Sequence, residues 1–348
     1  MVFRGIKTNI KDTFLGFIGA LTGLISGLVL LWFLIALYKP YQGYLGSQQI
    51  ISIPLGQTTS QIALNLQNQG IIRSSLLFQW YVRLGYTSSS LKAGEYRFQN
   101  AVNLSEVATK IQKGLVNYYK VTVREEMTIR EIIRQFNSEG FGAVKNYQRA
   151  LQEISLIADL DPLANNLEGY LFPETYFVTR SMTESEIVAT MVKEFRTVWT
   201  ADRSQRAGEI GLTMREVITL ASLIEKETSL PEERPLVSAV FQNRLRKNIK
   251  LACDPTVIYA VKQIKEYDGI INQSDLALDS PYNTYRYAGL PPGPIANPGL
   301  ESIDAALHPA DVNYLYFVSK NDGSHFFSSN YRNHHRAVQR YQRNGDNR

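Results

Sequence analysis

One cysteine, Cys253, in 348 residues rules out an internal disulfide, so nothing covalent staples this fold. The four histidines, His308, His325, His334 and His335, lack the His-Glu-x-x-His spacing of a zinc helix, and a single thiol adds little to them as a donor set. No Gly-x-Ser-x-Gly elbow marks a serine hydrolase, and no glycine-rich phosphate loop follows a strand. The sequence therefore calls for no metal and no cofactor. Charge of one sign is also in short supply: 37 Lys and Arg stand against 32 Asp and Glu, for a formal net charge of +5. Part of that excess sits near the C-terminus, at Arg336, Arg340, Arg343 and Arg348. Basic residues are scattered rather than interleaved with aromatics, which fits a solvated basic face and argues against nucleic acid.

One long apolar run is present. From Thr13 to Tyr38 there is no charge, a stretch longer than the about 20 residues an apolar helix needs to cross a bilayer. Arg4, Lys7 and Lys11 precede it and outnumber Asp12, so the positive-inside rule keeps the N-terminus in the cytoplasm and sends everything after Tyr41 across. Trp32, Tyr38 and Tyr41 suit the far interface. A cleaved signal peptide is the alternative, but Trp32-Phe-Leu-Ile-Ala-Leu-Tyr38 does not provide its short apolar region followed by small residues. Gly19, Gly23 and Gly27 form a small-xxx-small face of the kind that pairs helices.

After this anchor roughly 300 residues remain, enough for two domains of ordinary size. A helix signal recurs three times: Thr58-x-x-Gln61 closing at Gly70, Asn103-x-x-Glu106 at Gly114, and Thr128-x-x-Glu131 at Gly140. Strand-like runs precede them, Ile51-Ser-Ile53, Tyr96-Arg-Phe98 and Val121-Thr-Val123, so a strand-then-helix module is used repeatedly.

A fourth capping box, Thr213-x-x-Glu216, opens a helix expected from about Thr213 to Thr228, with Val217, Leu220, Ala221 and Ile224 at helical spacing. Its last turn carries Glu225 and Glu227, just before Leu230-Pro231. A helix ends at its negative pole, where an acid is harder to ionise, and a glutamate so placed can donate a proton near neutral pH. Spacing alone does not choose between the two acids; Glu227, deeper in the last turn and followed by Thr228, is the better one on dipole grounds. Both can equally be solvated last-turn residues.

The segments Ala221-Ser-Leu-Ile-Glu-Lys-Glu-Thr228, Val240-Phe-Gln-Asn-Arg-Leu245, Asp254-Pro-Thr-Val-Ile-Tyr259, Tyr282-Asn-Thr-Tyr285, Gly289-Leu-Pro-Pro-Gly-Pro-Ile295 with Asn297-Pro298-Gly299, His308-Pro309 and Tyr314-Leu-Tyr-Phe-Val318, with Leu167-Glu-Gly-Tyr-Leu-Phe-Pro-Glu-Thr-Tyr176 upstream, occur in this order. Together they resemble the endolytic murein transglycosylase family. The resemblance implies a lyase of peptidoglycan that cuts between N-acetylmuramic acid and N-acetylglucosamine, leaves a 1,6-anhydro end, uses Glu227 as its acid/base, and works beside the polymerases that make new strands. It further implies a glycan groove to which Asn243, Asp254, Thr256, Tyr282, Asn283 and Tyr285 contribute hydrogen-bond groups and aromatic faces, with the proline-rich loop from Pro291 to Pro298 as a stiff wall. Each of these also has a plainer role: packing for Tyr282 and Tyr285, a cap before Pro255 for Asp254, a turn for Asn283. Cys253 stands where the family more often has a non-thiol polar residue and reads as a small buried residue. Glu168 and Glu174 line the same groove or close a turn, and His325, in Gly323-Ser-His-Phe-Phe327, which resembles the family's last strand, is a strand-edge residue or approaches the substrate. The segment Ile53-Pro-Leu-Gly-Gln-Thr-Thr-Ser-Gln-Ile-Ala63 looks like a LysM glycan-binding module.

The expected organisation is α+β: residues 1–12 in the cytoplasm, a transmembrane anchor over 13–38, a LysM-like region over 39–145, a catalytic domain over 146–342 with its acid on a helix, and a polar tail over 343–348. A non-catalytic wall-binding scaffold, a hydrolytic muramidase, and a pyridoxal phosphate lyase using Lys226 are the competing functions. Spacing distinguishes neither endo from exo cleavage nor the length of the product.

Overall fold

The computed structural model describes residues 10–85 and 91–343; Arg4, Lys7 and Arg348 lie outside them. Two compact units result, residues up to Tyr118 together with Thr179–Ser181, and Tyr119–Val178 together with Met182 onward.

The first unit starts with α1 (Ile10–Tyr38), whose stretch Phe17–Tyr38 is apolar and exposed enough to cross a membrane, as an anchor or signal sequence does. Gly19, Gly23 and Gly27 have open space beside them. Next come β1 (Gln48–Ile53), α2 (Thr59–Asn68), α3 (Ser75–Gly85), β2 (Gly94–Gln99) and α4 (Leu104–Lys113). β1 and β2 pair antiparallel, Ile51 opposite Tyr96. The strand period of two turns Ile51, Ile53, Tyr96 and Phe98 to one face, where Leu66, Phe78, Val107 and Ile111 of the helices cover them. Leu37, at the end of α1, is buried in this same core. The capping boxes at Thr58 and Asn103 form as expected, and Gly114 closes α4 at φ 68°, a left-handed position that glycine adopts without strain.

The second unit opens with the third strand–helix copy, β3 (Tyr119–Thr122) and α5 (Ile129–Ser138), so the units part at residue 118 rather than at 145. The reason is pairing: β3 is joined antiparallel to β4 (Thr175–Val178), Val121 opposite Tyr176, and this draws α5 into the core of the second unit. Between them lies α6 (Val144–Ala150). Then follow α7 (Glu184–Val198), α8 (Ala201–Glu209), α9 (Met214–Glu227), α10 (Arg234–Arg246), α11 (Asp254–Ile264), α12 (Gln273–Leu276), α13 (Leu300–Leu307), the hairpin β5 (Tyr316–Ser319) and β6 (His325–Ser328), and α14 (Tyr331–Val338). The fold is thus mostly helical with small sheets, all two-stranded among the described residues.

α9 is the axis of this unit. Val217 to Glu225 are all buried, so the helix is enclosed on every side, and the polar Ser222 and Glu225 are hydrogen-bonded within the core. The proline-rich loop is buried with it rather than forming an outer wall. Ile295 N donates to Ser222 Oγ at 3.1 Å, and Asn297 Oδ1 accepts from Gly169 N and Leu171 N at 3.0 and 2.9 Å. Gly169 sits at φ +89° with Pro294 and Ile218 so close that a Cβ would come within 2.5 Å of Pro294. No other residue fits there.

Candidate active site

The structure separates the two acids at the end of α9. Glu225 is buried and fully engaged: Oε1 meets Arg234 Nη2 at 3.1 Å and Oε2 accepts from Gly299 N at 2.8 Å. Arg234 at the start of α10 also pairs with Glu301, and with Glu125 at 3.5 Å. This carboxylate holds α9, α10 and the start of α13 together and has no oxygen to spare. Glu227 is different, half-buried, so that solvent still reaches it while protein atoms surround its carboxyl. Burial pushes its pKa up from 4.5 to about 7; the Cys253 thiol, which hydrogen-bonds it, pulls the other way, Asp254 adds to the rise, and His325 and Arg244 oppose it. Burial is the largest cause of this rise.

Three elements supply those neighbours. Cys253 and Asp254 lie at the start of α11, His325 on the first residue of β6, and Arg244 in the last turn of α10. His325 Nδ1 meets Glu233 Oε2 at 2.6 Å, and its backbone N donates to Glu233 Oε1 at 2.8 Å. Glu233 Oε2 also accepts from Thr228 Oγ1, the residue that caps α9, at 3.2 Å. The histidine is thus tied to the same corner that carries the acid. Cys253 is buried, as expected of a small core residue, but its thiol touches the carboxyl, so it is part of the site.

The six residues assigned to the groove divide into two groups. Asp254 is exposed and accepts from Tyr285 OH at 2.5 Å, which puts both beside Glu227. Tyr282 is half-buried against Tyr259, ring centroids 4.9 Å apart, on the Glu168 side of the unit. Asn243, Thr256 and Asn283 are buried, and their polar atoms are taken by the chain. Asn243 Nδ2 donates to Val312 O and Tyr314 O, both at 2.9 Å. Thr256 Oγ1 donates to Cys253 O at 2.7 Å. Asn283 Nδ2 donates to Leu276 O and Leu278 O, and its Oδ1 accepts from Tyr285 N at 3.0 Å. As folded, Thr256 and Asn283 build the loops that present Cys253, Asp254 and Tyr285, Asn243 holds the segment before β5, and none of the three offers a polar atom to a ligand.

A second carboxyl shares the high pKa. Burial pushes Glu168 up to about 7, yet Oε1 accepts from Ile129 N at 2.9 Å and Oε2 from Tyr259 OH at 3.3 Å, so it braces the start of α5. Glu174 is exposed and accepts from Thr175 N. Lys226, the lysine a Schiff base would need, is exposed and paired with Glu126 at 3.1 Å. Among the described residues no group of three His, Cys, Asp or Glu could hold a metal.

Residues 51–340 match the model of the YceG-like family. The chain belongs to the YceG-like family. An endolytic murein transglycosylase of Bacillus subtilis is 34% identical to this YceG-like chain over 307 residues, 84% of each. One from Streptococcus pneumoniae is 29% identical over 324 residues, 83% of this chain and 57% of that longer protein. A yceG-like protein of Listeria monocytogenes, seen in a crystal structure, superposes with TM-score 0.57 at 29% identity, covering 83% of this chain and 98% of that one.

Two residues near Glu227 of this YceG-like chain escaped the sequence reading, Glu233 and Arg244, and a third, His325, was weighed there only as one of two readings. Glu233 lies in the turn Pro231–Glu233 just past the helix end, where an acid reads as solvated, and only its partner His325, 92 residues away, reveals it. Two cavities of about 780 and 500 Å³ open on the same unit, the first reaching Glu174 and Lys226, the second Glu168 and Tyr259; Glu227 lines neither.

Proposed function

We propose that this chain is an endolytic murein transglycosylase, anchored by α1 with its catalytic unit outside the cytoplasmic membrane, that cuts nascent glycan strands with Glu227 as its one acid/base. The observation that carries the reading is a carboxyl held protonated to about pH 7 beside Cys253, Asp254 and His325, at the position of the family motif. A pair of carboxylates serves ordinary glycosidases, one protonating the leaving oxygen and one assisting the nucleophile. Here Glu227 gives its proton to the glycosidic oxygen as the C1–O bond of N-acetylmuramic acid breaks. It then takes the proton of that sugar's own C6 hydroxyl, whose oxygen closes on C1. The products are a 1,6-anhydro end and a free 4-hydroxyl on N-acetylglucosamine, with no water consumed. Asp254 and Tyr285 are the members of the expected groove set best placed to meet sugar. Support for the anchor comes from the length and apolarity of α1, and for glycan binding by the first unit from its LysM-like segment alone. Polymerases are partners by family resemblance.

Mass spectrometry of products from polymerised, uncrosslinked glycan tests the reading. Anhydro ends, one water lighter than reducing ends, are expected; reducing ends alone identify a muramidase, and intact strands a wall-binding scaffold.

His325 predicts a further result. Its field lowers the pKa of Glu227, so His325→Gln should leave Glu227 protonated to higher pH and move the alkaline limb of the rate profile upward. A slower enzyme with an unmoved limb would make His325 purely structural.

A further inference from the structure

Helix α3 of the first unit presents an apolar line to the outside. Phe78 and Val82 point into the core, and on the opposite side Leu76, Trp80 and Leu84, four residues apart, are 67%, 55% and 72% exposed. Large apolar residues exposed singly are ordinary, but three in register along one helix mark a surface that something covers.

The position of α3 identifies the cover. Leu37, the penultimate residue of α1, is buried in the core of the first unit, and Phe33, one turn earlier, packs against the same core. At 1.5 Å per residue, Phe33 lies about 7 Å below the end of α1, and the candidate span Phe17–Tyr38 is 22 residues, close to the about 20 that cross a bilayer's hydrocarbon. The first unit therefore reaches down to headgroup depth instead of standing clear of the lipid. Ser74 and Leu77, at the beginning of α3, share a small cavity with Ala36 and Lys39, at the end of α1. Arg73 stacks over Tyr41, 4.9 Å from its ring. So α3 begins where the anchor leaves the membrane, with Lys39, Arg73 and Arg83 as cations beside the apolar line.

We infer that α3 is a second, interfacial membrane contact: Leu76, Trp80 and Leu84 lie in the headgroup–acyl boundary of the bilayer that α1 crosses, and the neighbouring cations meet lipid phosphates. Tryptophan with leucine on one face and basic residues flanking it is the pattern of a helix lying in that layer. This rests on the reading of α1 as a membrane anchor. Its consequence is that the first unit cannot swing freely on its stalk.

The test uses the full chain in phosphatidylcholine–phosphatidylglycerol nanodiscs. One variant, Trp32→Phe with Trp199→Phe, leaves Trp80 as reporter; the other, Trp80→Phe with Trp199→Phe, leaves Trp32. With lipids brominated near the headgroup, Trp80 emission should fall by half or more, and with lipids brominated at the chain ends it should change little. Trp32 quenched while Trp80 is not overturns the interfacial contact and leaves the anchor standing; both unquenched overturns both. Trp80 shielded from lipid bromine and from aqueous iodide alike means that a second copy or another protein covers α3, which also overturns the inference. Should the tryptophan variants fold poorly, bimane attached at Leu84→Cys reads the same depth, since Cys253 is buried.

Discussion

Glu227→Gln is expected to lower kcat/KM for glycan cleavage by at least about 10³-fold, because in the proposed mechanism a single carboxyl performs both the proton donation and the proton abstraction, each worth about 10² to 10⁴. Glutamine keeps the shape and some hydrogen bonding, so strand binding measured by co-sedimentation should persist. The wild type should lose rate as pH rises through about 7, where the carboxyl gives up the proton it must donate. The same raised value sets the sign for stability. Between 4.5 and about 7 the folded state holds a proton that the unfolded chain has released, so stability falls as pH rises across that window. Glutamine removes that slope, so the inactive variant should be no less stable than the parent at pH 8. Wild-type rates from Glu227→Gln would end its assignment as the acid, whatever the stability.

The second large effect is on folding. Arg234→Met should destabilise the second unit by about 3–5 kcal/mol, since it leaves Glu225 buried without its cation. That corresponds to a fall in Tm of roughly 10 °C for a unit of this size. Arg234 has partners on three segments, Glu225, Glu301 and Glu125, and burial together with Glu225 already pushes Glu125 above the usual carboxylate range. Adding Glu225→Gln to Arg234→Met should recover a large part of the loss, because a neutral amide is cheaper to bury than an orphaned charge. A double-mutant cycle by thermal unfolding measures the coupling. If Arg234→Met alone unfolds within a degree of the wild type, the pair is not what holds α10 to α9.

Much of the fold is local and could be seen in the chain. Capping boxes at Thr58, Asn103, Thr128 and Thr213 all form, because each is a reciprocal pair three residues apart that needs nothing distant. The helix expected over Thr213–Thr228 is Met214–Glu227 between those two caps. Strand pairing was not legible. β3 finds β4 across more than fifty residues, and this moved the third strand–helix copy into the second unit. In the site, the motif marked Glu227 but could not show which neighbours face it. Asn243, Thr256 and Asn283 have the chemistry of sugar ligands, yet backbone carbonyls satisfy them, nearby ones for Thr256 and Asn283 and ones far along the chain for Asn243, while Glu233 and His325 became partners only when β6 reached the end of α9. Whether a polar side chain faces outward or into its own loop is decided by tertiary packing, which spacing does not encode.

Cys253 carries a last consequence. A cysteine reacts with peroxide or a disulfide as the thiolate, and burial, with Glu227 adding to it, pushes this thiol well above its ordinary pKa. The surroundings that keep a proton on the glutamate also keep one on the sulfur. Burial beside Glu227 thus makes this lone cysteine a poor target for oxidants.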